Sequence, residues 1–217
     1  MKLKLLILVA IFALVANAQN TKPVTKKNQR PAAKAVKTII AEPFEKATVA
    51  EMAEQCVRLE TETGIIELEF FPETSPETVR NFLQLSAKGF YNTTTFSRVV
   101  AGFVIQGGGN SSRLKRTEAF DLRSQKKLID EPSLIKHERG IISMARSDEP
   151  NSARTQFFIL LSTAGNLDGS FSAFGRVTSG MEIVEAINKA KIEDEKPLIP
   201  VRILKAVVFK CVDKKQK

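Results

Sequence analysis

Between Val57 and Lys210 the apolar residues of this chain fall into short runs, most of them alternating with polar residues and ended by Gly, Asn or Pro. A period of two buries one face of an extended segment, so this stretch admits many short strands and little helix. Val57-Arg58-Leu59-Glu60-Thr61 and Ile65-Ile66-Glu67-Leu68-Glu69-Phe70 alternate on either side of the turn residues Glu62-Thr63-Gly64. They read as a hairpin with one buried face. Strand-like runs recur at Phe96 to Val100, Phe103 to Gln106, Gly140 to Met144, Gln156 to Leu161, Phe174 to Val177 and Val201 to Lys210.

Two segments break the pattern. After Ser75, placed to cap a helix, Pro76 suits the first helical position, Val79, Phe82, Leu83 and Ser86 share a face, and Gly89 ends the run. A second helix is expected from Met181 to about Lys189, with Met181, Val184 and Ile187 on one side. Many short strands with two isolated helices point to an antiparallel barrel closed by helices rather than a doubly wound parallel sheet.

The ends of the chain differ from this body. Lys2 and Lys4 precede an apolar run from Leu5 to Ala16, and Ala16-Asn17-Ala18 offers a cleavage site, so residues 1–18 read as a signal peptide. The run is too short to cross a membrane as a helix, so no stable insertion is expected once it is cut. The chain would then work in an exported compartment, periplasmic or secreted. Residues 19–54 are expected to form a flexible linker, basic as far as Thr48, with ordered structure starting between Val49 and Cys56. The globular domain is placed at 55–212 and a basic tail at 213–217.

This division explains the formal charge of +9. Residues 49 to 212 carry 21 basic and 21 acidic side chains, so the excess lies in the terminal segments and no nucleic-acid surface is expected. One His and two Cys are too few for the usual zinc ligand sets, and no metal site is expected. His137, within Lys136-His137-Glu138-Arg139, reads as a solvated loop residue. Gly107-Gly108-Gly109 lacks the spacing of a dinucleotide loop and reads as a tight backbone turn.

What remains is Phe96-Ser97-Arg98-Val99-Val100-Ala101-Gly102-Phe103-Val104-Ile105-Gln106-Gly107-Gly108, followed by Ser143-Met144-Ala145-Arg146, Gln156-Phe157-Phe158-Ile159, Leu167-Asp168-Gly169 and Phe174-Gly175. In residues and order these resemble the cyclophilin family of peptidyl-prolyl cis-trans isomerases, in an exported, bacterial-like form, over about Val57 to Phe209. The resemblance implies a mainly β fold, a closed eight-stranded antiparallel barrel capped by two α-helices. It also implies rotation about Xaa-Pro bonds of polypeptide substrates, without a cofactor, by a monomer that assists the folding of exported proteins. A proline-groove binding module or holdase with little turnover is the alternative.

The implied site follows residue by residue. Arg98 is the cation beside the prolyl nitrogen. Phe103, Val104, Phe158 and Leu167 line the proline pocket, and Gln106 bonds the substrate backbone and steadies the arginine. Ala145 and Arg146 match the segment whose main chain pairs with residues preceding the proline, and Gln156 faces substrate. An outward-facing Arg98 paired with a carboxylate is the other reading of that position. Ser97, Ala101, Asn166 and Phe171 depart from the family pattern. Phe171 keeps the pocket apolar, and Asn166 removes an aromatic wall, so tight cyclosporin binding is not expected. The stretch from Asn110 to Lys127 departs most and reads as a solvated variable loop, with an extended substrate groove as the alternative. Terminal strands are neighbours in such barrels, so Cys56 and Cys211 are candidates for a disulfide.

Overall fold

The computed structural model describes residues 42–211; the expected signal peptide, the linker up to residue 41 and the tail lie outside them. Helix α1 (Val49–Ala53) leads into the hairpin of β1 (Gln55–Thr61) and β2 (Ile65–Phe70). Helix α2 (Pro76–Ala87), strands β3 (Phe96–Val100) and β4 (Val104–Gly107) and helix α3 (Glu118–Arg123) follow. Next come β5 (Ile141–Met144), β6 (Phe157–Leu160), β7 (Ala173–Ser179), helix α4 (Met181–Asn188), a small hairpin of β8 (Ile192–Glu193) and β9 (Lys196–Pro197), and β10 (Ile203–Lys210).

Eight strands form one antiparallel sheet in the order β10-β1-β2-β7-β5-β6-β4-β3. Its two edges meet without a full ladder. A single bridge joins Thr95 to Arg202, the Phe96 amide donates to the Val201 carbonyl at 2.9 Å, and Ile203 exchanges bonds with Thr93 and Thr94 at 2.8 Å each. The barrel therefore closes through the segment before β3. In the β1–β2 hairpin Leu59 faces Ile66 and Val57 faces Leu68. These four side chains are fully buried, each contributing about 1.5–3 kcal/mol relative to exposure.

Helix α2 delivers Phe82 to the centre of the barrel, where its ring lies 4.9–5.4 Å from those of Phe70, Tyr91, Phe157 and Phe174. The tilted and edge-on orientations suit the ring quadrupoles. Ser75 does not cap this helix as expected. Its hydroxyl donates instead to the Ala173 carbonyl at 3.0 Å. The free amides of Glu77 and Thr78 donate to the carboxylate of Glu131 at 3.1 and 2.8 Å. A full negative charge satisfies two orphan donors at the positive end of the helix, which a hydroxyl satisfies less well.

The described residues hold four α-helices where two were expected. The additional pair is short, and neither carries a long apolar stripe. Residues 42–54 also belong to the fold and not to the linker. Thr48 and Glu51 form a capping box at the start of α1, Met52 is fully buried, and Arg80 donates to the carbonyls of Phe44 and Ala47. Likewise 110–127 is not a solvated loop throughout. The Arg113 guanidinium lies 4.3 Å from the Phe120 ring centroid and donates to the carbonyls of Gly89 and Phe90, and Arg123 bonds Asn81. Burial lowers the pKa of both guanidiniums. Cys56 and Cys211 are bonded, with Cα atoms 5.1 Å apart, because β1 and β10 are paired with Cys56 opposite Phe209.

Candidate active site

Strand β6 is buried on both faces. Side chains alternate across a strand, so Phe157 and Ile159 enter the main core while Phe158 and Leu160 enter a second, smaller cluster with Val104 and Ala164. On β4 the same parity sends Ile105 inward and leaves Val104 outward. The second cluster, on the outer face of the barrel, forms the floor of the site.

Around it lies a pocket of about 230 Å³ lined by Arg98, Phe103, Val104, Gln106, Ala145, Arg146, Phe158, Leu167 and Phe171. The structure thus brings nine of the ten expected site residues to one cavity. Gln156, the tenth, lies on the adjoining groove. Its Oε1 accepts from Gln106 Nε2 at 3.1 Å, and Gln106 Oε1 accepts from Arg98 Nη1 at 3.3 Å. Phe158 and Phe171 meet edge to face at 6.1 Å. Arg146 stacks on Phe171 with its guanidinium 4.6 Å from the ring centroid, and it donates to the carbonyls of Ser147 and Ser170 at 2.8 and 3.2 Å. That arginine is committed to holding the wall.

Arg98 fits both readings made of it. It lines the pocket, and it is also paired with a carboxylate, its Nε lying 2.7 Å from Glu195 Oε2. Sequence reasoning passed over Glu195, which lies 97 positions away in a turn without a recognisable motif. The glycine run acts as expected: Gly108 has φ +80°, and a Cβ there would lie 2.8 Å from the Tyr91 ring and 3.0 Å from the Thr155 carbonyl. Only glycine lets β4 leave the pocket along this path.

The reading of His137 as a solvated residue is wrong, for it is 1% exposed. Its backbone N–H and its Nδ1 lie 2.8 and 3.0 Å from Asp168 Oδ1, and its Nε2 lies 3.2 Å from Ser143 Oγ. An ionised carboxylate only accepts, so Nδ1 carries a proton toward Asp168, and Nε2 stands within hydrogen-bond distance of the Ser143 hydroxyl. The His137 backbone amide, the Lys136 ammonium and the His137 ring hold the Asp168 carboxyl down at about 2. Ser143 is fully buried and stands opposite Phe158 in the β5–β6 ladder. This chain of bonds therefore ties the loop carrying Leu167 and Phe171 to the strand behind Phe158, and it offers no nucleophile to a ligand. The polar neighbours of His137 hid its burial; Asp168 and Ser143, both within the matched motifs, were the available clue.

The Gln156 groove, about 610 Å³, shares Gln106, Ala145 and Arg146 with the pocket and is otherwise lined by residues including Asn110, Ser111, Arg116, Lys127, Glu149 and Arg154. Segment 110–127 therefore forms a wall of it. Arg116 pairs with Asp121 at 2.7 Å and Lys127 with Glu149 at 3.6 Å.

The comparisons agree with this geometry. Residues 56–208 match the family described as cyclophilin type peptidyl-prolyl cis-trans isomerase/CLD. The peptidyl-prolyl cis-trans isomerase cypE of Dictyostelium discoideum is 40% identical over 157 residues, 71% of this chain and 98% of that protein. Peptidyl-prolyl cis-trans isomerase A of Dickeya dadantii is 36% identical over 146 residues, 65% of this chain and 75% of that protein. A cyclophilin-type isomerase from Cryptosporidium parvum, solved in the presence of the dipeptide Ala-Pro, superposes with a TM-score of 0.63 at 32% identity, covering 72% of this chain and 99% of that one. The chain belongs to the cyclophilin-type peptidyl-prolyl cis-trans isomerases.

Proposed function

We propose that the 230 Å³ pocket takes the proline ring of an exported polypeptide and that Arg98 drives rotation about the bond preceding it. The observation that carries this is the convergence of the Arg98 guanidinium and the Gln106 carboxamide on a cavity whose other lining is apolar apart from Arg146, which is engaged with Phe171 and the wall carbonyls. The rotation barrier, about 18–20 kcal/mol, comes from amide resonance. As the bond twists, the nitrogen loses resonance, becomes pyramidal and can accept a hydrogen bond. Phe103, Val104, Phe158, Leu167 and Phe171 hold the ring, Gln106 fixes the adjacent backbone, and Arg98 donates to the nitrogen. A donor that engages only the twisted state lowers the barrier rather than tightening ground-state binding.

Residues before the proline run into the adjoining groove along Ala145 and Gln156. Arg154 lines it, and its guanidinium makes no hydrogen bond or ion pair among the described residues. With Arg116 and Lys127 it favours acidic side chains there.

Export is supported by the basic and apolar start of the chain and by the Cys56–Cys211 bond, which persists in oxidising compartments. A protease-coupled assay on a Xaa-Pro peptide tests the catalytic reading. Arg98→Ala is expected to lose about 10²–10³ in kcat/KM while still binding a proline peptide; undiminished turnover by this variant would sink the assignment. Mass analysis of the protein from its native host is expected to show a start near Gln19.

A further inference from the structure

The β8–β9 hairpin answers to no expectation from the sequence, and its turn is unusual. Asp194 and Glu195 sit at φ +47° and +62°, the left-handed conformations of a two-residue hairpin turn in which glycine is the usual second residue. A glutamate there holds strained backbone, and such strain persists where the surrounding structure makes use of it.

Glu195 makes two neighbouring contacts with β3. Its carbonyl accepts from the Val99 amide at 2.8 Å, and its carboxylate accepts from Arg98 Nε at 2.7 Å. The same guanidinium donates through Nη1 to Gln106 at 3.3 Å. Nη2 has no hydrogen bond among the described residues and is left for a ligand in the pocket that Arg98 lines.

We propose that Glu195 is a positioning residue for the isomerisation: it fixes the plane of the Arg98 guanidinium before substrate arrives. This rests on the reading of Arg98 as the catalytic cation. An unrestrained arginine would lose its rotamer freedom in each catalytic cycle, and a guanidinium ordered during folding avoids that loss. The pair is 42% and 50% exposed, so water screens the attraction between the two charges and the ion pair itself adds little. Orientation, not charge, is what Glu195 supplies.

Three variants test this in the full mature chain by peptide isomerisation kinetics and thermal melting. Glu195→Gly removes the carboxylate and relieves the left-handed strain. It is expected to melt no lower than the parent while kcat falls roughly two- to fivefold, the scale of an exposed ion pair, with KM nearly unchanged. Glu195→Gln keeps a carbonyl oxygen to accept from Nε and should retain most of the parent kcat. In an Arg98→Ala background Glu195→Gly should have no further effect.

Parent-like or raised kcat in Glu195→Gly overturns the proposal, as does a Glu195→Gln enzyme impaired as much as Glu195→Gly. So does an equal loss in the Arg98→Ala background, which would place the effect in the hairpin itself. A fully active Arg98→Ala enzyme would instead remove the reading of Arg98 on which the proposal rests, so the two failures are separable.

Discussion

Phe157 and Phe158 are adjacent on β6 and belong to different hydrophobic clusters, one packed beneath Phe82 inside the barrel and the other forming the floor of the pocket with Val104. Strand parity places two consecutive identical residues on opposite faces, one in the main core and one in the pocket floor. Phe157→Ala is expected to cost about 3–5 kcal/mol of stability. Phe158→Ala should cost less stability but raise KM for proline peptides severalfold. Denaturant melts paired with kinetics read both; a Phe157→Ala variant as stable as Phe158→Ala would contradict the division.

The Cys56–Cys211 bond closes the domain, spanning 155 positions. On the chain-entropy model its loss removes up to ~5 kcal/mol. Cys56→Ser with Cys211→Ser should melt lower than the oxidised parent, and adding a thiol reductant should lower only the parent. Both Cys residues lie outside the pocket, so turnover at low temperature should persist.

Asp168 titrates at about 2, against 3.8 for an unperturbed aspartate. A depressed folded-state value means that its ionised form stabilises the fold; the contribution is complete above about pH 4 and is lost as pH falls toward 2. Asp168→Asn should therefore be less stable than the parent at neutral pH, with the difference narrowing between pH 4 and 2. Thermal melts across that range check this, and a difference constant with pH would count against it.

If Arg154, Arg116 and Lys127 favour acidic side chains, peptides with Asp or Glu two or three residues before the proline should show higher kcat/KM than their Lys counterparts. The preference should weaken as salt rises from 20 to about 500 mM, because these groups are exposed and screened. Arg154→Glu should reverse it, and a preference insensitive to both changes would place selectivity elsewhere.

The strand runs, helices α2 and α4 and the motif residues around the pocket were legible because each rests on local pattern: alternation, helical period, or a short matched segment. Arg98, Phe103, Gln106 and Phe158 converge as the motifs implied. Ser75 was misread as a cap because the better partner, Glu131, is remote in sequence. The segments 42–54 and 110–127 carry many charged residues and read as solvated, yet Arg80 and Asn81 on α2 anchor them. His137 was missed for the same reason: polar neighbours in sequence say nothing of a polar partner inside the fold.

By itself the sequence determined the eight strands of the main sheet, which of their faces are apolar and which residues carry the family motifs. Period and short-range chemistry act over a few residues, and those survive reading without a structure. Only the tertiary structure decided what lies against each face once the barrel closed: Glu195 against Arg98, Asp168 against His137, and Glu131 against the start of α2. Such pairings depend on strand order and register across long separations, where a small shift in chain path would bring a different side chain to the same place.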